Sequence, residues 1–147
     1  MHGLEVVDIA HAIQLALAPV FLLSGIGVFL GVLTSRLARV VDRARTIERE
    51  LRQVPADEAA ATAAHEQLHV MARRARFINY GITFATVGGF CTALVVALLF
   101  LSTFAPLNLA AYVAVLFVFA MTSLLAAFLS FLVEIRIAVA ALRIGGL

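Results

Sequence analysis

Three stretches of this chain, about 12–35, 77–101 and 107–133, each run for more than twenty residues without one Asp, Glu, Lys or Arg. An apolar helix of about 20 residues matches the ~30 Å hydrocarbon core of a bilayer. In lipid such a stretch has to be helical, because a helix satisfies every backbone polar group within its own segment. The expected fold is therefore all-α: a single membrane domain, 1–147, with three transmembrane helices. At 63% hydrophobic, 14% charged and a mean hydropathy of +1.05, the chain lies well beyond ordinary soluble domains, which are roughly half apolar.

Two prolines bear on the spans. Pro19, in the outer half of the first, removes one helical hydrogen bond and is expected to kink that helix. Pro106, between the second and third, is expected to stop a helix. The single cysteine, Cys91, lies inside an apolar run, so no intramolecular disulfide can form and its expected role is that of a small buried side chain. Glu5 and Asp8 precede the first span and no Lys or Arg comes before Arg36. This is not the positive n-region of a cleaved signal peptide, so the first apolar segment is expected to stay in the mature protein.

All eleven basic residues are arginine: Arg36, Arg39, Arg43, Arg45, Arg49, Arg52, Arg73, Arg74, Arg76, Arg136 and Arg143. Every one falls between the first two spans or after the third. Three spans put both regions on one side of the membrane, and the positive-inside rule makes that side cytoplasmic. The N-terminus and the short 102–108 loop are then expected to face outward.

Between the first two spans, apolar residues recur at alternating steps of three and four: Leu37, Val40, Ala44, Ile47, Leu51 and Val54, then Ala61, Ala64, Leu68, Met71, Ala75 and Ile78. This is the pattern of a coiled-coil seam. A break at 53–57 contains Pro55, and Asp57 and Glu58 suit the positive end of a helix dipole. Residues 36–76 are thus expected to form a cytoplasmic antiparallel helical hairpin continuous with the flanking spans, reaching about 25 Å from the membrane at ~1.5 Å per residue. It carries nine arginines against six acids. Arg36, Arg39, Arg73, Arg74 and Arg76 lie closest to the bilayer, as topology signal or as contacts to anionic lipid headgroups. No aromatic residues alternate with these arginines, and a nucleic-acid partner is not expected.

His65, Glu66 and His69 spell H-E-x-x-H on one of these helices, a spacing that sets two imidazoles one turn apart for zinc, with the glutamate as general base. A third ligand would have to come from Glu48, Glu50, Asp57 or Glu58, none at a diagnostic spacing. The pair also lies outside the apolar seam. The expectation is no metal, no cofactor and no enzymatic activity, with a zinc protease the most distant alternative.

Within the spans, small residues recur at steps of four: Gly27, Gly31 and Ser35 in the first, Gly81, Ala85, Gly89 and Ala93 in the second. Such faces let helix backbones approach closely, within one chain or between copies. Polar residues form two partial stripes, Asn79, Thr83 and Thr86 in the second span, and Ser123, Ser130 and Glu134 in the third. Glu134 is the most suggestive, since a carboxylate at that depth is paired or functional; Arg136, Arg36 and Arg76 are its candidate partners. Asp8 and His11, spaced i, i+3 at the outer end, form a surface pair or a cation-attracting entrance.

The run from Ile13 through Pro19 to Gly27, the Leu33-Thr-Ser-Arg-Leu-Ala-Arg-Val-Val-Asp-Arg-Ala-Arg45 run and the later Arg73-Arg-Ala-Arg-Phe-Ile-Asn79 run resemble a bacterial family of small three-span membrane proteins known only by a domain-of-unknown-function label. The resemblance covers nearly the whole chain. It implies a bacterial inner-membrane location and no particular activity, and H-E-x-x-H is not part of that family's pattern. Two functions fit the residues. One is a homo-oligomeric ion channel or ion-handling protein, slightly favoured by the polar stripes; the other is a non-catalytic scaffold whose arginine hairpin binds anionic lipid or a partner.

Overall fold

The computed structural model describes residues 2–53, 58–104 and 109–144. They form three α-helices: α1 (His2–Gln53), α2 (Glu58–Phe104) and α3 (Ala110–Ile144), with no strand among the described residues. All three are long and apolar enough to cross a membrane. The expected breaks at Pro55 and Pro106, together with Val54, Asp57, Leu107 and Asn108, lie outside the described residues.

The helices outrun the predicted spans. α1 continues from its apolar run into the arginine-rich segment without interruption, passing through Pro19. Lacking an N–H, Pro19 leaves the Leu15 carbonyl without its helical donor. At ~1.5 Å per residue the 52 residues of α1 extend about 78 Å, more than twice the ~30 Å of a hydrocarbon core. Arg52 lies in the last turn of α1 and Glu58 in the first turn of α2, each matched in sign to its helix end. Hydroxyls inside the helices are mostly satisfied locally. Thr46, Thr62, Thr83, Thr92 and Thr122 each donate to the carbonyl four residues back at 2.8–3.0 Å.

Along α1 the buried residues Ala12, Pro19, Ile26, Leu33, Val40 and Ile47 fall at steps of seven. α3 repeats this spacing in buried Ala120, Ala127 and Glu134. On α2 the buried face is Ile78, Gly81, Ala85, Gly88, Thr92 and Val95, at steps of three and four. Many of these positions are Ala or Gly, while Phe21 (74% exposed), Val115 (71%) and Phe90 (66%) point outward. Soluble proteins rarely expose apolar surface on this scale. Small residues inside and large apolar residues outside are what helices packed in lipid require.

The residues group into two compact units. The first, Met1–Leu30 with Phe84–Ala126, is held by close backbone approach. A Cβ built on Gly88 would lie 3.2 Å from the Ala120 carbonyl oxygen, and one on Gly89 would lie 3.4 Å from Ile26 Cγ2. Adjacent glycines therefore serve two neighbours, Gly88 facing α3 and Gly89 facing α1. Ser123 Oγ donates to the Phe84 carbonyl at 2.8 Å, pinning α3 to α2. Cys91 is buried here as a free thiol.

The second unit, Gly31–Thr83 with Ala127–Leu147, buries Leu33, Val40, Ile47, Ile78, Ala127 and Glu134. At Gly81 a Cβ would meet Leu33 Cδ1 at 3.3 Å and the Ala127 carbonyl at 3.5 Å. The two glycine faces predicted from sequence thus have different fates. Gly81, Ala85 and Gly89 pack within the chain, whereas Gly27 and Gly31 have nothing within 4 Å and Ser35 is exposed.

Gly88→Ala is expected to cost about 1–3 kcal/mol through backbone displacement, read as lowered thermal stability in detergent. Gly31→Ala, made into open space, is expected to stay within about 0.5 kcal/mol of the parent. Equal effects of the two would contradict the packing described.

Candidate functional site

Glu134 stands on α3 at the third position of the series that begins with Ala120 and Ala127, where a small apolar residue would otherwise sit, and its side chain is fully buried. An isolated buried carboxylate is costly, and it persists only with partners. Arg36 of α1 donates through Nη1 to Oε2 at 2.5 Å, and Arg74 of α2 donates through Nε and Nη2 to Oε1 at 3.1 and 2.9 Å. Both carboxylate oxygens are thus engaged, by charge-assisted bonds of the strong kind. The two arginine side chains keep 32% and 26% of their surface exposed. The Arg36 guanidinium carbon also lies 5.1 Å from the centroid of the Phe131 ring, a cation–π distance. Among the described residues no buried side-chain nitrogen or oxygen lacks a partner.

Of the partners proposed for Glu134 from sequence, Arg36 is found, while Arg76 and Arg136 are exposed. Arg74 was not singled out for this role. Its signal lay in the register: counting back four from buried Ile78, Arg74 falls on the same helix face, and Arg73 and Arg76 do not.

The polar stripes separate in the same way. Ser123 and Glu134 are buried and Ser130 is half-buried, with a contact of its own. Asn79, Thr83 and Thr86 are exposed, with the Thr83 hydroxyl donating to the Asn79 carbonyl at 2.9 Å. The structure therefore brings Glu134 to the arginines and leaves the α2 stripe on an outer face.

Several arginines line clefts. Arg36, Arg39, Arg43 and Arg74, with Val40 and Met71, line one of about 240 Å³. Arg73 and Arg76 line another with His69, Phe77 and Tyr80, the two aromatic rings meeting edge to face at 6.4 Å. His65 and His69 share a third cleft with Glu48. His65 Nδ1 lies 2.7 Å from the Ala61 carbonyl oxygen of its own helix. Among the described residues no group of three or more His, Cys, Asp or Glu side chains has the geometry to hold a metal ion. Glu48, Glu50 and Glu58 are exposed, and Asp57 lies outside the described residues.

Three apolar helices of spanning length, with a buried carboxylate held by arginines from two of them, define a multi-pass α-helical membrane protein. The chain belongs to the family described as "Protein of unknown function (DUF2721)", whose model matches residues 16–144. Searches of curated proteins and of solved structures give no match.

Glu134→Gln removes the counter-charge of two partly buried guanidinium groups and is expected to destabilise the protein by about 3 kcal/mol. Arg136→Gln, at an exposed position, is expected to change it by less than about 0.5 kcal/mol. Unfolding of the full chain in bicelles measures both, and a neutral Glu134→Gln would mean the ion pairs hold nothing together.

Proposed function

We propose that this is a non-catalytic scaffold of the bacterial plasma membrane, N-terminus outside, whose arginine-rich hairpin meets the anionic cytoplasmic leaflet through its membrane-proximal arginines. The observation that carries the reading is the double pairing of Glu134. It makes the one carboxylate beside the third span a structural counter-ion, and it leaves Arg39, Arg43, Arg73 and Arg76 exposed. Each surface arginine near an anionic leaflet adds about 1 kcal/mol of attraction. Phe77 and Tyr80 beside Arg73 and Arg76 suit the headgroup level, where aromatic rings anchor membrane proteins.

Contacts within the second unit support an antiparallel hairpin. As α1 advances through Leu33, Arg36 and Glu48, the residues of α2 that meet or share a cleft with them recede through Gly81, Arg74 and His65. The seam at Val40, Ala44, Leu68, Met71 and Ala75 lines one groove, in keeping with coiled-coil packing.

A second reading, a homo-oligomeric ion-handling protein, is favoured by one observation: Asn79, Thr83 and Thr86 are exposed on α2, where several copies could turn them toward a shared interior. In it Glu134 would have to surrender its arginine partners to meet an ion, at a cost in stability.

Both are tested in proteoliposomes of phosphatidylcholine and phosphatidylglycerol containing the full chain. The scaffold reading predicts that spin-labelled phosphatidylglycerol is selectively immobilised, that Arg73→Gln with Arg76→Gln lowers this selectivity several-fold, and that ion flux matches empty vesicles. Flux that falls on Asn79→Ala with Thr83→Ala, without lipid selectivity, would replace it with the second reading.

A further inference from the structure

Arg36, Arg39 and Arg43 stand at i, i+3 and i+7 on α1, one face of a helix, and Arg74 joins them from α2 in one cleft of about 240 Å³. Four arginines lining so small a cleft set like charges near one another. Glu134 is buried beneath two of them and neutralises one charge. Among the described residues neither Arg39 nor Arg43 has an ion pair. The cleft is therefore left with a surplus of about three positive charges, two of its arginines being fixed in place by the buried carboxylate.

We propose that this cleft is a binding site for a single phosphate group. The chemistry is specific to that class of anion. Each guanidinium presents five N–H donors in a planar fork and accepts nothing, and such forks match the oxygens of a phosphate. Arg36 spends one nitrogen and Arg74 two on Glu134, so both retain donors. Arg39 and Arg43, exposed on the same helix, close over the anion from α1. Pre-fixing of Arg36 and Arg74 lowers the ordering cost that otherwise erodes affinity at flexible surface charges. The phosphate comes either from a lipid headgroup, in which case the site deepens the hairpin's proposed attraction for the anionic leaflet, or from a free solute, in which case it stands without that reading.

The test uses the full chain with Arg39→Gln and Arg43→Gln, which leave the Glu134 ion pairs intact. The control is Arg45→Gln with Arg49→Gln, an equal charge loss on the same helix outside the cleft. One arm is native mass spectrometry of protein released from mixed phosphatidylcholine and phosphatidylglycerol membranes. The other is thermal stability in phospholipid-free detergent, titrated with inorganic phosphate against chloride at matched ionic strength. The site predicts one tightly held phosphatidylglycerol per chain, or saturable stabilisation by phosphate, weakened about thirtyfold in the cleft variant and little changed in the control. Retention of lipid without a phosphate response assigns the site to a headgroup, and the converse to a free phosphate. Equal losses in the two variants, or no binding in either arm, would overturn it. Loss of spin-label selectivity in the Arg73 and Arg76 variant reports on the leaflet attraction alone, so the two ideas fail separately.

Discussion

A carboxylate cannot be carried to a buried position of an apolar helix unless its charge is met there, and in this chain that requirement falls on Glu134. Its two oxygens are met by arginines from the two other helices. The arrangement works as a registry device, because sliding either helix by one residue would rotate its arginine by about 100° and leave one oxygen of the buried carboxylate without its charged donor. Dispersion between small residues, by contrast, tolerates many alignments. The ion pairs supply the direction that packing of Gly and Ala lacks.

The first unit depends on the opposite kind of contact. There the helices approach through Gly88 and Gly89, and the Ser123 hydroxyl reaches a backbone carbonyl. Between helices in lipid such a bond contributes about 0.6 kcal/mol, so closeness of backbones must carry most of the association. Large apolar side chains are accordingly turned outward and the interior is small. One chain thus uses close steric fit in both units and adds buried ion pairs in the second. Each suits its sequence: no charged residue lies in 9–35 or 77–133, while arginines crowd 36–76.

Much of the architecture was legible in the residues. Charge-free runs located the helices, and spacing within 36–78 marked the faces that bury Val40, Ile47 and Ile78. Inside the spans that method loses contrast, because nearly every residue is apolar and hydropathy no longer distinguishes faces. The steps of seven through Ala12, Pro19, Ile26 and Leu33 were therefore passed over, although they continue into Val40 and Ile47 on the same helix. Gly81, Ala85 and Gly89 were found by size, yet Gly88, which makes the closest approach, breaks the step of four and was not. Glu134 was singled out as paired or functional, and the structure sets Arg36 and Arg74 on it. The choice of Arg74 over Arg76 depended on carrying the α2 register back from Ile78.

The central claim is that Glu134 and its arginines act as one unit that fixes the helices in register. A double-mutant cycle of Glu134→Gln and Arg74→Gln, with unfolding free energies of the full chain measured in a lipid bilayer, tests it most directly. The account predicts strong non-additivity, with a coupling of about 2 kcal/mol, because Arg74→Gln takes both donors from Glu134 Oε1 in the parent but has no carboxylate left to deprive once Glu134 is Gln. Additivity within about 0.5 kcal/mol would contradict it, and would mean that the helices find their register by packing alone.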